Sequence, residues 1–400
     1  MENRIYKFTV HLLLALLLLS VAVLGLLDWS IPDAISVFES ESPPSRACIS
    51  YVDCGATYEG EGLSVRRLSA RLFGVIPVKR VELNVYENVK LCPGGMPFGI
   101  KLDARGVIVV GLSEVKTSGG AAFSPAEKGG VRIKDTIVKI NGREVSSNRD
   151  VNSALDACGG SPIELVCLRG GKEITLRVTP AKAEDGSWRL GVWLRDSMSG
   201  IGTVTYIDPT SGAFGGLGHG VCDADTGELL PIRSGSALLV KIIGISPGKE
   251  GVPGEIRGYL KSDRIGKITR NSACGVFGYF SGGAVPMGEA IPIALKNQLC
   301  EGEAHILTTL DDGGVGRYRV EISDIKLDGE TKCFTVKVTD PALLAKTGGI
   351  VQGMSGSPII QNGKLVGAVT HVLVSDPTSG YGIFIENMLN AANIPMSKAS

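Results

Sequence analysis

A serine lies between glycines in the segment Gly353-Met354-Ser355-Gly356-Ser357-Pro358, near the carboxyl end of the chain. Gly353 and Gly356 can adopt positive φ angles and leave the space beside the Ser355 hydroxyl open. The backbone N–H groups of Gly353 and Ser355 can then converge on the oxyanion of an acyl-transfer intermediate. The segment therefore suits a nucleophilic serine, although a Gly/Ser/Pro turn before a strand is also common without catalysis.

A serine nucleophile needs a general base within hydrogen-bond reach, and near neutral pH that base is most often histidine. The chain has four histidines, and His219 stands between Gly218 and Gly220. Such a loop lets an imidazole approach a substrate backbone without obstruction by side chains. The sequence predicts that His219 pairs with Ser355 as general base and then general acid; the alternative is a solvated loop histidine.

The cysteines offer a rival chemistry. Cys222 lies three residues after His219, but no glycine arrangement suited to an oxyanion hole accompanies it. The nine cysteines form no C-x-x-C pair, so we expect no zinc site and no dithiol redox motif. Their odd number leaves at least one thiol unpaired if none is modified, so no disulfide framework is required. The predicted acyl-enzyme chemistry needs no metal and no organic cofactor.

Composition excludes some functions and favours a β-rich fold. Lys and Arg number 41, as do Asp and Glu, so no net field attracts nucleic acid or acidic lipid. The 54 glycines are nearly twice the usual share of about 7%. Many turns between short strands would account for this excess. A chain of 400 residues is long enough for two or three domains.

The amino-terminal segment is almost wholly apolar from Phe8 to Leu27. Twenty helical residues at 1.5 Å rise match a hydrocarbon core of about 30 Å. Arg4 and Lys7 precede the segment and Asp28 follows it, so we expect residues 1–28 to be an anchor with a cytoplasmic amino terminus. A cleavable signal peptide is the alternative, but the apolar run is long and lacks a small-residue exit site.

Two further regions precede the catalytic motifs. Residues 29–90 combine a predicted juxtamembrane linker, up to about residue 62, with a small β-rich region. Residues 91–183 have the pattern of a PDZ domain: a helix with Ser124 as its cap, an Asn141-Gly142 hairpin turn, a helix from Asn148 to Cys158 with Asn148 as its predicted cap, and two strands across Gly170-Gly171. Phe98, Gly99 and Ile100 are the predicted loop that binds a peptide carboxyl terminus, unless the groove is only structural.

Residues 184–400 are predicted to be β-rich throughout. Short strands separated by turns indicate a barrel or a sandwich. The Asn362-Gly363 turn predicts a hairpin directly after Ser355, and residues 385–392 are predicted to form a closing helix. Periodicity alone indicates only an all-β domain.

Three long motifs carry a family resemblance. They are Gly-Leu-Gly-His-Gly around His219, Gly-Met-Ser-Gly-Ser-Pro around Ser355, and Thr-His-Val-Leu-Val-Ser-Asp-Pro-Thr-Ser-Gly-Tyr-Gly from Thr370. Together they resemble the stage IV sporulation protein B peptidases, which are membrane-tethered serine peptidases of endospore-forming bacteria. The resemblance runs from the anchor to the carboxyl terminus. It implies a mainly β fold in which the amino-terminal helix and the α+β PDZ domain precede a chymotrypsin-like double β-barrel.

The resemblance also points to Asp340 as the carboxylate that orients His219. An alternative is that Asp340 is an ordinary helix N-cap, because Pro341 follows it. Asp340 lies fifteen positions before Ser355, closer than in ordinary chymotrypsin-like enzymes. Asp223 and Asp263 are the other candidates.

For function, the resemblance implies a serine endopeptidase of sporulation signalling in the forespore membrane. Its catalytic domain would face the space between forespore and mother cell. It would cleave itself within residues 30–90 and then cut a regulatory membrane protein, permitting intramembrane processing of a late sigma factor.

Two alternatives are a non-catalytic, membrane-anchored PDZ adaptor with a protease-like domain, and a general quality-control protease. In the latter class the PDZ domain usually follows the protease domain, which is the reverse of the order predicted here. None of these interpretations involves nucleic acid.

Overall fold

The computed structural model describes residues 2–43, 48–60, 63–283 and 285–393. They divide into two compact units, the first ending at Val89 and the second running from Lys90 to Ala392. The predicted peptidase region, 184–400, ends in residues that lie outside this description, from 394 onward.

The first unit combines a long helix with one sheet. By length and composition, Val10–Ser30 of the helix can cross a membrane. The elements are α1 (Glu2–Ser30), β1 (Ala34–Phe38), β2 (Ile49–Gly60), β3 (Leu63–Leu72) and β4 (Ile76–Tyr86). The sheet order is β1-β4-β3-β2, with β1 parallel to β4. The predicted linker is thus wrong in part: β1 and β2 lie within it, because Ile35, Val37 and Ile49 are buried in the core of the sheet.

The second unit contains the remaining elements. Its first half consists of β5 (Lys90–Pro93), β6 (Pro97–Leu112), β7 (Val115–Lys116), β8 (Ala122–Phe123), α2 (Pro125–Lys128), β9 (Thr136–Ile140), β10 (Arg143–Glu144), α3 (Asn148–Cys158), β11 (Ile163–Arg169), β12 (Lys172–Val178), β13 (Ala181–Lys182), β14 (Trp188–Arg189), β15 (Val192–Ile207) and β16 (Ala213–Gly216). Its second half consists of β17 (Ile232–Ser246), β18 (Glu255–Ser272), β19 (Gly275–Phe280), β20 (Ile291–Pro292), a 3₁₀ turn (Lys296–Gln298), β21 (Gly302–Thr309), β22 (Val315–Ser323), β23 (Phe334–Val338), α4 (Pro341–Thr347), β24 (Pro358–Gln361), β25 (Lys364–Leu373), β26 (Asp376–Phe384) and α5 (Ile385–Ala392).

The helix cap and the turn predicted for the PDZ region are confirmed, but a different residue caps α3. Ser124 accepts the N–H of Glu127 at the start of α2. Asn141 and Gly142 form the predicted turn, both at positive φ. The cap of α3 is Ser147 rather than Asn148, because the Ser147 and Asp150 side chains form a reciprocal capping box.

Two β-barrels form the rest of the unit. The pairings β6–β17, β17–β18, β18–β19, β19–β16, β16–β15 and β15–β6 close a first ring of six strands. A second closed barrel has the order β21-β22-β23-β26-β25-β24. The predicted double barrel is confirmed.

Two long strands run through both the first barrel and the PDZ region. The second half of β6 and the first half of β15 pair beside β9, while their other halves pair within the barrel. The predicted PDZ limits of 91 and 183 therefore do not match the fold, since residues 97–104 belong to the barrel and 192–195 to the PDZ sheet. The buried side chains in both halves of β6 explain why the strand does not break between them.

Candidate active site

His219 lies on a tight turn that follows β16 of the first barrel. Leu217 and Gly218 both have a φ of +67°, and the Leu217 N–H donates to the Thr203 carbonyl at 3.2 Å. Beyond the histidine, the Asn271 side chain bonds the backbone of Val221 through both its oxygen and its nitrogen. The His219 loop is therefore held by backbone geometry at one end and by the Asn271 side chain at the other.

Ser355 lies in the loop between α4 and β24 of the second barrel. Gly353 and Gly356, the two glycines predicted to have positive φ, have φ angles of +98° and +95°. The Ser355 hydroxyl donates to the Thr370 carbonyl at 2.6 Å. In this arrangement the hydroxyl is held by the backbone rather than by an imidazole.

Strand β15 joins the two loops. The Thr203 N–H donates to the Ser355 carbonyl at 2.9 Å, and the Thr203 hydroxyl donates to the Gly353 carbonyl at 2.7 Å. The Thr205 hydroxyl donates to the Gly356 carbonyl at 2.7 Å. Our sequence reasoning missed both threonines. Their i, i+2 spacing before the His219 loop places them on one face of a strand and was the available signal.

Gly353 and Ser355 each have a backbone N–H that points away from the hydrogen bond accepted by the preceding carbonyl. The Gln352 carbonyl accepts the Ile256 N–H, and the Met354 carbonyl accepts the Ser357 N–H. In a trans peptide unit the N–H points opposite to the carbonyl, so the N–H groups of Gly353 and Ser355 face away from these bonds. Within the described residues neither N–H has an acceptor. They are available to stabilise an oxyanion.

The two loops share one cavity of about 380 Å³, lined by His219 and Ser355 together with Gly353. Its apolar wall includes Ile100, Ile201, Leu217, Val221, Val351 and Val372. No Asp, Glu, Lys or Arg of the described chain lines it. An apolar peptide side chain suits this lining better than a charged one, whose desolvation would go uncompensated.

The imidazole of His219 is half-buried and has defined neighbours. Its Nδ1 lies 2.9 Å from the Gly220 carbonyl, which leaves Nε2 as the basic nitrogen. The ring lies beside that of His371, with 4.5 Å between centroids and 33° between planes. Desolvation lowers the pKa of His219 more than the Gly220 carbonyl raises it. The ring is therefore neutral at neutral pH, as a general base must be.

The structure does not bring Asp340 to His219, which corrects its predicted role as orienting carboxylate. One Asp340 oxygen accepts the N–H groups of Ala342 and Leu343, and the other accepts the Arg319 N–H. Desolvation acts to raise the pKa of Asp340, but these N–H groups outweigh it and the pKa lies below its ordinary value. Asp340 is thus the N-cap of α4, the alternative reading of Asp-Pro.

The other two carboxylates are also elsewhere. Asp223 is buried and bonded to Arg195 at 2.6 Å, while its second oxygen accepts the N–H groups of Asp225 and Thr226. Asp263 is exposed on β18. Within the described chain, the Gly220 carbonyl occupies the place of an orienting carboxylate at Nδ1.

The predicted PDZ carboxylate loop is wrong. Phe98, Gly99 and Ile100 are buried in the barrel half of β6, where they pair with β15 and β17. A strand that is hydrogen-bonded to a neighbouring strand on each side has no free N–H groups to offer a peptide. A PDZ carboxylate-binding loop and this buried strand share the pattern apolar-Gly-apolar, so the sequence pattern alone did not distinguish one from the other.

The same pattern recurs at Leu190-Gly191-Val192, beside α3. The Leu190 and Gly191 carbonyls accept the N–H groups of Ala126 and Ser113, which turns the following N–H groups the other way. A groove of about 730 Å³ lies here, lined by α3 on one side and by the start of β15 on the other.

Comparison with known proteins identifies the family to which the chain belongs. A family model described as SpoIVB peptidase S55 matches residues 186–389, just over half of the 400-residue chain. The chain belongs to the SpoIVB peptidase S55 family. A second model, described as a PDZ domain, matches residues 117–169. The S55 match contains the His219 and Ser355 loops, and the PDZ match contains α3.

Individual relatives match over short stretches. Serine protease Do-like HtrB of Bacillus subtilis is 41% identical over 68 residues, 16% of this chain and 15% of that protein. A protein described as a zinc metalloprotease, CPE1693 of Clostridium perfringens, is 30% identical over 82 residues, 20% of this chain and 24% of that protein. The chain thus spans less than a quarter of either relative. Because the two use different catalytic groups, these matches do not identify the chemistry of this S55 chain.

One solved structure is also similar, that of the Rv3671c protease from M. tuberculosis in its active form. It is 14% identical, has a TM-score of 0.30, and the match covers 50% of this chain and 76% of that chain.

Proposed function

We propose that this protein is a membrane-tethered serine endopeptidase in which Ser355 is the nucleophile and His219 the general base. The observation that carries the proposal is the cavity that His219, Gly353 and Ser355 line together, where the N–H groups of Gly353 and Ser355 have no acceptor within the described residues. His219 takes the Ser355 proton as the hydroxyl attacks a peptide carbonyl, and the Gly353 and Ser355 N–H groups stabilise the oxyanion. The imidazolium then protonates the leaving amine, and water hydrolyses the acyl-enzyme.

The mechanism requires a local change at Ser355. The Ser355 hydroxyl must leave the Thr370 carbonyl and donate to Nε2 of His219. This is a rotation about the side-chain bond of one residue, and rotamer changes of this kind take picoseconds to nanoseconds at accessible sites. Substrate binding in the cavity would favour it by displacing water from both groups.

Family membership supports a finer proposal about the biological role. The protein would act in the forespore membrane, with its catalytic part in the space between forespore and mother cell. It would cleave itself within residues 30–90 and then cut a regulatory membrane protein, permitting intramembrane processing of a late sigma factor. The apolar helix α1 supports the tether. A wild-type chain that stays at full length beside its Ser355→Ala variant would contradict self-cleavage.

A fluorophosphonate probe tests the peptidase proposal directly. Such probes form a covalent bond with a serine that has an adjacent base and an oxyanion hole. We expect labelling of the purified protein, with the adduct mapped to Ser355 by peptide mass spectrometry. A folded protein that is not labelled would instead indicate the alternative, a membrane-anchored PDZ adaptor with a protease-like domain.

The PDZ region is proposed to bind peptide carboxyl termini in the groove between α3 and the start of β15. The N–H groups of Gly191 and Val192 would hold the terminal carboxylate, and the peptide would extend along the edge of β15. Titration of a labelled peptide library measures this. Equal affinity for peptides with a free and an amidated carboxyl terminus would contradict the assignment.

Variants of Asp340 test whether its carboxylate orients His219 or only caps α4. As the α4 cap it supports the helix that leads into the Ser355 loop, and Asn caps helices about as well as Asp. We therefore expect Asp340→Asn to keep kcat/KM within about tenfold of wild type, and Asp340→Ala to lose about 1 kcal/mol of stability. An orienting carboxylate would behave differently: its Asn variant would lose about 10⁴-fold while still folded.

The pH profile should reflect the lowered pKa of His219. Because the pKa is lowered, the imidazole stays neutral, and able to accept a proton, to a pH below the ordinary histidine value of about 6.5. We expect the acid limb of kcat/KM to have its midpoint below 6.5, and activity to fall as the pH drops through it. Near-ultraviolet circular dichroism over the same range controls for unfolding. A midpoint above 7 in folded protein would contradict the assignment.

A further inference from the structure

The turn between β3 and β4 carries an exposed apolar tip, defined here as residues Phe73–Ile76. Phe73 is 72% exposed, Val75 75% and Ile76 47%. Three large apolar side chains at one loop end are unusual on a soluble surface, where such loops are normally polar. The tip therefore presents a surface that suits an apolar partner.

The backbone of the tip adds a second anomaly. Phe73 and Gly74 are the central residues of a turn in which the Val75 N–H donates to the Leu72 carbonyl at 3.2 Å, and their φ angles of +52° and +77° are both positive, as in the type I′ turn for which Asn-Gly is preferred. A bulky aromatic residue at positive φ is an outlier. The positive φ and the solvent exposure both disfavour phenylalanine at position 73. A residue that is unfavourable for both backbone conformation and solubility is expected where it serves a function.

The tip lies close to the end of the membrane helix within the first unit. The Lys79 ammonium donates to the carbonyls of Asp28 and Ile31, at 3.2 and 2.8 Å, and pairs with the Asp33 carboxylate at 2.8 Å. Ile31 is buried in the core of the sheet. The last turn of α1 is therefore attached to the base of β4, three residues after the tip.

The register of the sheet gives the direction in which the tip points. β1 starts just after α1 and is parallel to β4, with Ala34 opposite Glu82 and Phe38 opposite Tyr86. Both strands thus run away from the end of α1, and β4 followed backward from Glu82 runs toward it. Ile76 is six residues back, about 20 Å at ~3.3 Å per residue. The tip accordingly reaches the level of the last helical turn or passes it.

That level is where a bilayer surface would lie. Val10–Ser30 is the apolar span, and Trp29, 87% exposed, stands in its last turn, where interfacial aromatic residues are enriched. Arg80, which is exposed, lies on β4 four residues after the tip. Apolar side chains followed by a basic one match the acyl boundary and the phosphate layer of a phospholipid surface.

We propose that the tip inserts into the headgroup–acyl boundary of the phospholipid bilayer that α1 spans. The inference goes beyond the peptidase function and rests only on the insertion of α1. Two attachment points, the helix and the tip, would hold the sheet of the first unit in one orientation on the membrane. A single helix alone would leave it free to rotate.

Photocrosslinking in the full chain tests the proposal. A benzoylphenylalanine is placed at position 73 in the Ser355→Ala background, which prevents self-cleavage, and the protein is reconstituted in phosphatidylethanolamine/phosphatidylglycerol vesicles. The matched control carries it at Glu39, which is exposed at the opposite end of the same sheet. We expect at least tenfold more phospholipid adduct at position 73 than at position 39.

Flotation after alkaline extraction separates the two ways in which the experiment can fail. Protein that remains with the vesicles but gives equal adduct at both positions overturns tip insertion and leaves the anchor in place. Protein that leaves the vesicles overturns the anchor, and tip insertion with it. Neither result bears on the catalytic assignment.

A second variant separates membrane contact from folding. Phe73→Asn combined with Val75→Asn introduces the preferred Asn-Gly pair at positions 73 and 74, so the melting temperature should be unchanged or higher. With the crosslinker at position 76, we expect the phospholipid adduct to fall at least fivefold relative to the unmodified tip. An undiminished adduct in this stable variant would overturn the proposal.

Discussion

Replacing Ser355 with alanine is expected to abolish peptide hydrolysis, with kcat falling by about 10⁶-fold, as when a serine peptidase loses its nucleophile. The change removes the attacking oxygen and its 2.6 Å bond to the Thr370 carbonyl. The loop backbone is held by hydrogen bonds from the N–H and the hydroxyl of Thr203 on β15, which alanine at position 355 leaves intact. The melting temperature and peptide binding by the PDZ region should therefore be unchanged. Cleavage of a quenched fluorescent peptide measures the loss.

Ser357 supplies a matched control two residues further along the same loop. Its side chain is fully buried, and its hydroxyl has no hydrogen-bond partner within the described residues. Ser357→Ala also removes a serine hydroxyl, but Ser357 does not line the cavity, so activity should be retained. If purified Ser355→Ala protein still cleaved the peptide, the assignment of the nucleophile would be wrong.

Replacing Gly356 with alanine should disrupt the junction between the Ser355 and His219 loops. An added Cβ would lie 2.0 Å from the Thr203 carbonyl oxygen and 2.4 Å from the Leu217 nitrogen, and both are backbone atoms that cannot rotate away. The residue also has a φ of +95°, which disfavours any side chain. A shift of about 1 Å between nucleophile and base can cost about 10²-fold in rate. We expect at least that loss, with about 2–4 kcal/mol of stability.

Gly363→Ala separates the steric effect from backbone strain. Gly363 has a φ of +75°, but a Cβ there would meet no atom within 4 Å. This variant should lose about 1–2 kcal/mol, the cost of the left-handed conformation, and keep its activity. Urea unfolding and peptide cleavage are measured for both variants. Equal activity in the two would contradict a close contact between the Ser355 and His219 loops.

Features that depend on neighbouring residues alone were predictable from the sequence. Ser124, Asn141-Gly142 and Asn362-Gly363 form the predicted cap and turns, because hydrogen bonds and φ preferences act within a few residues. Gly353 and Gly356 adopt the predicted positive φ for the same reason. The double barrel was expected from family resemblance; strand periodicity indicated only an all-β domain.

Features that depend on distant partners were predicted poorly. Phe98-Gly99-Ile100 and Leu190-Gly191-Val192 have the same local pattern, yet the first is a buried barrel strand and only the second lines a groove. Asp340 could have been a cap or an orienting carboxylate, and it became a cap because the N–H groups of α4 are nearer than any imidazole. Thr203 and Thr205 carried no local sign that their partners lie in a loop of the other barrel.

By itself, the sequence determined which residues can do chemistry here: a serine and a histidine, each on a glycine-lined turn, and an apolar helix long enough to cross a bilayer. The tertiary structure decided which groups meet. It placed Ser355 and His219 in one cavity, put a backbone carbonyl rather than Asp340 at the Nδ1 of His219, and bonded the base of β4, next to the tip, to the last turn of α1. The reason is that turns and caps are set by contacts a few residues apart, whereas a site assembled from two barrels depends on strand pairing between segments more than a hundred residues apart.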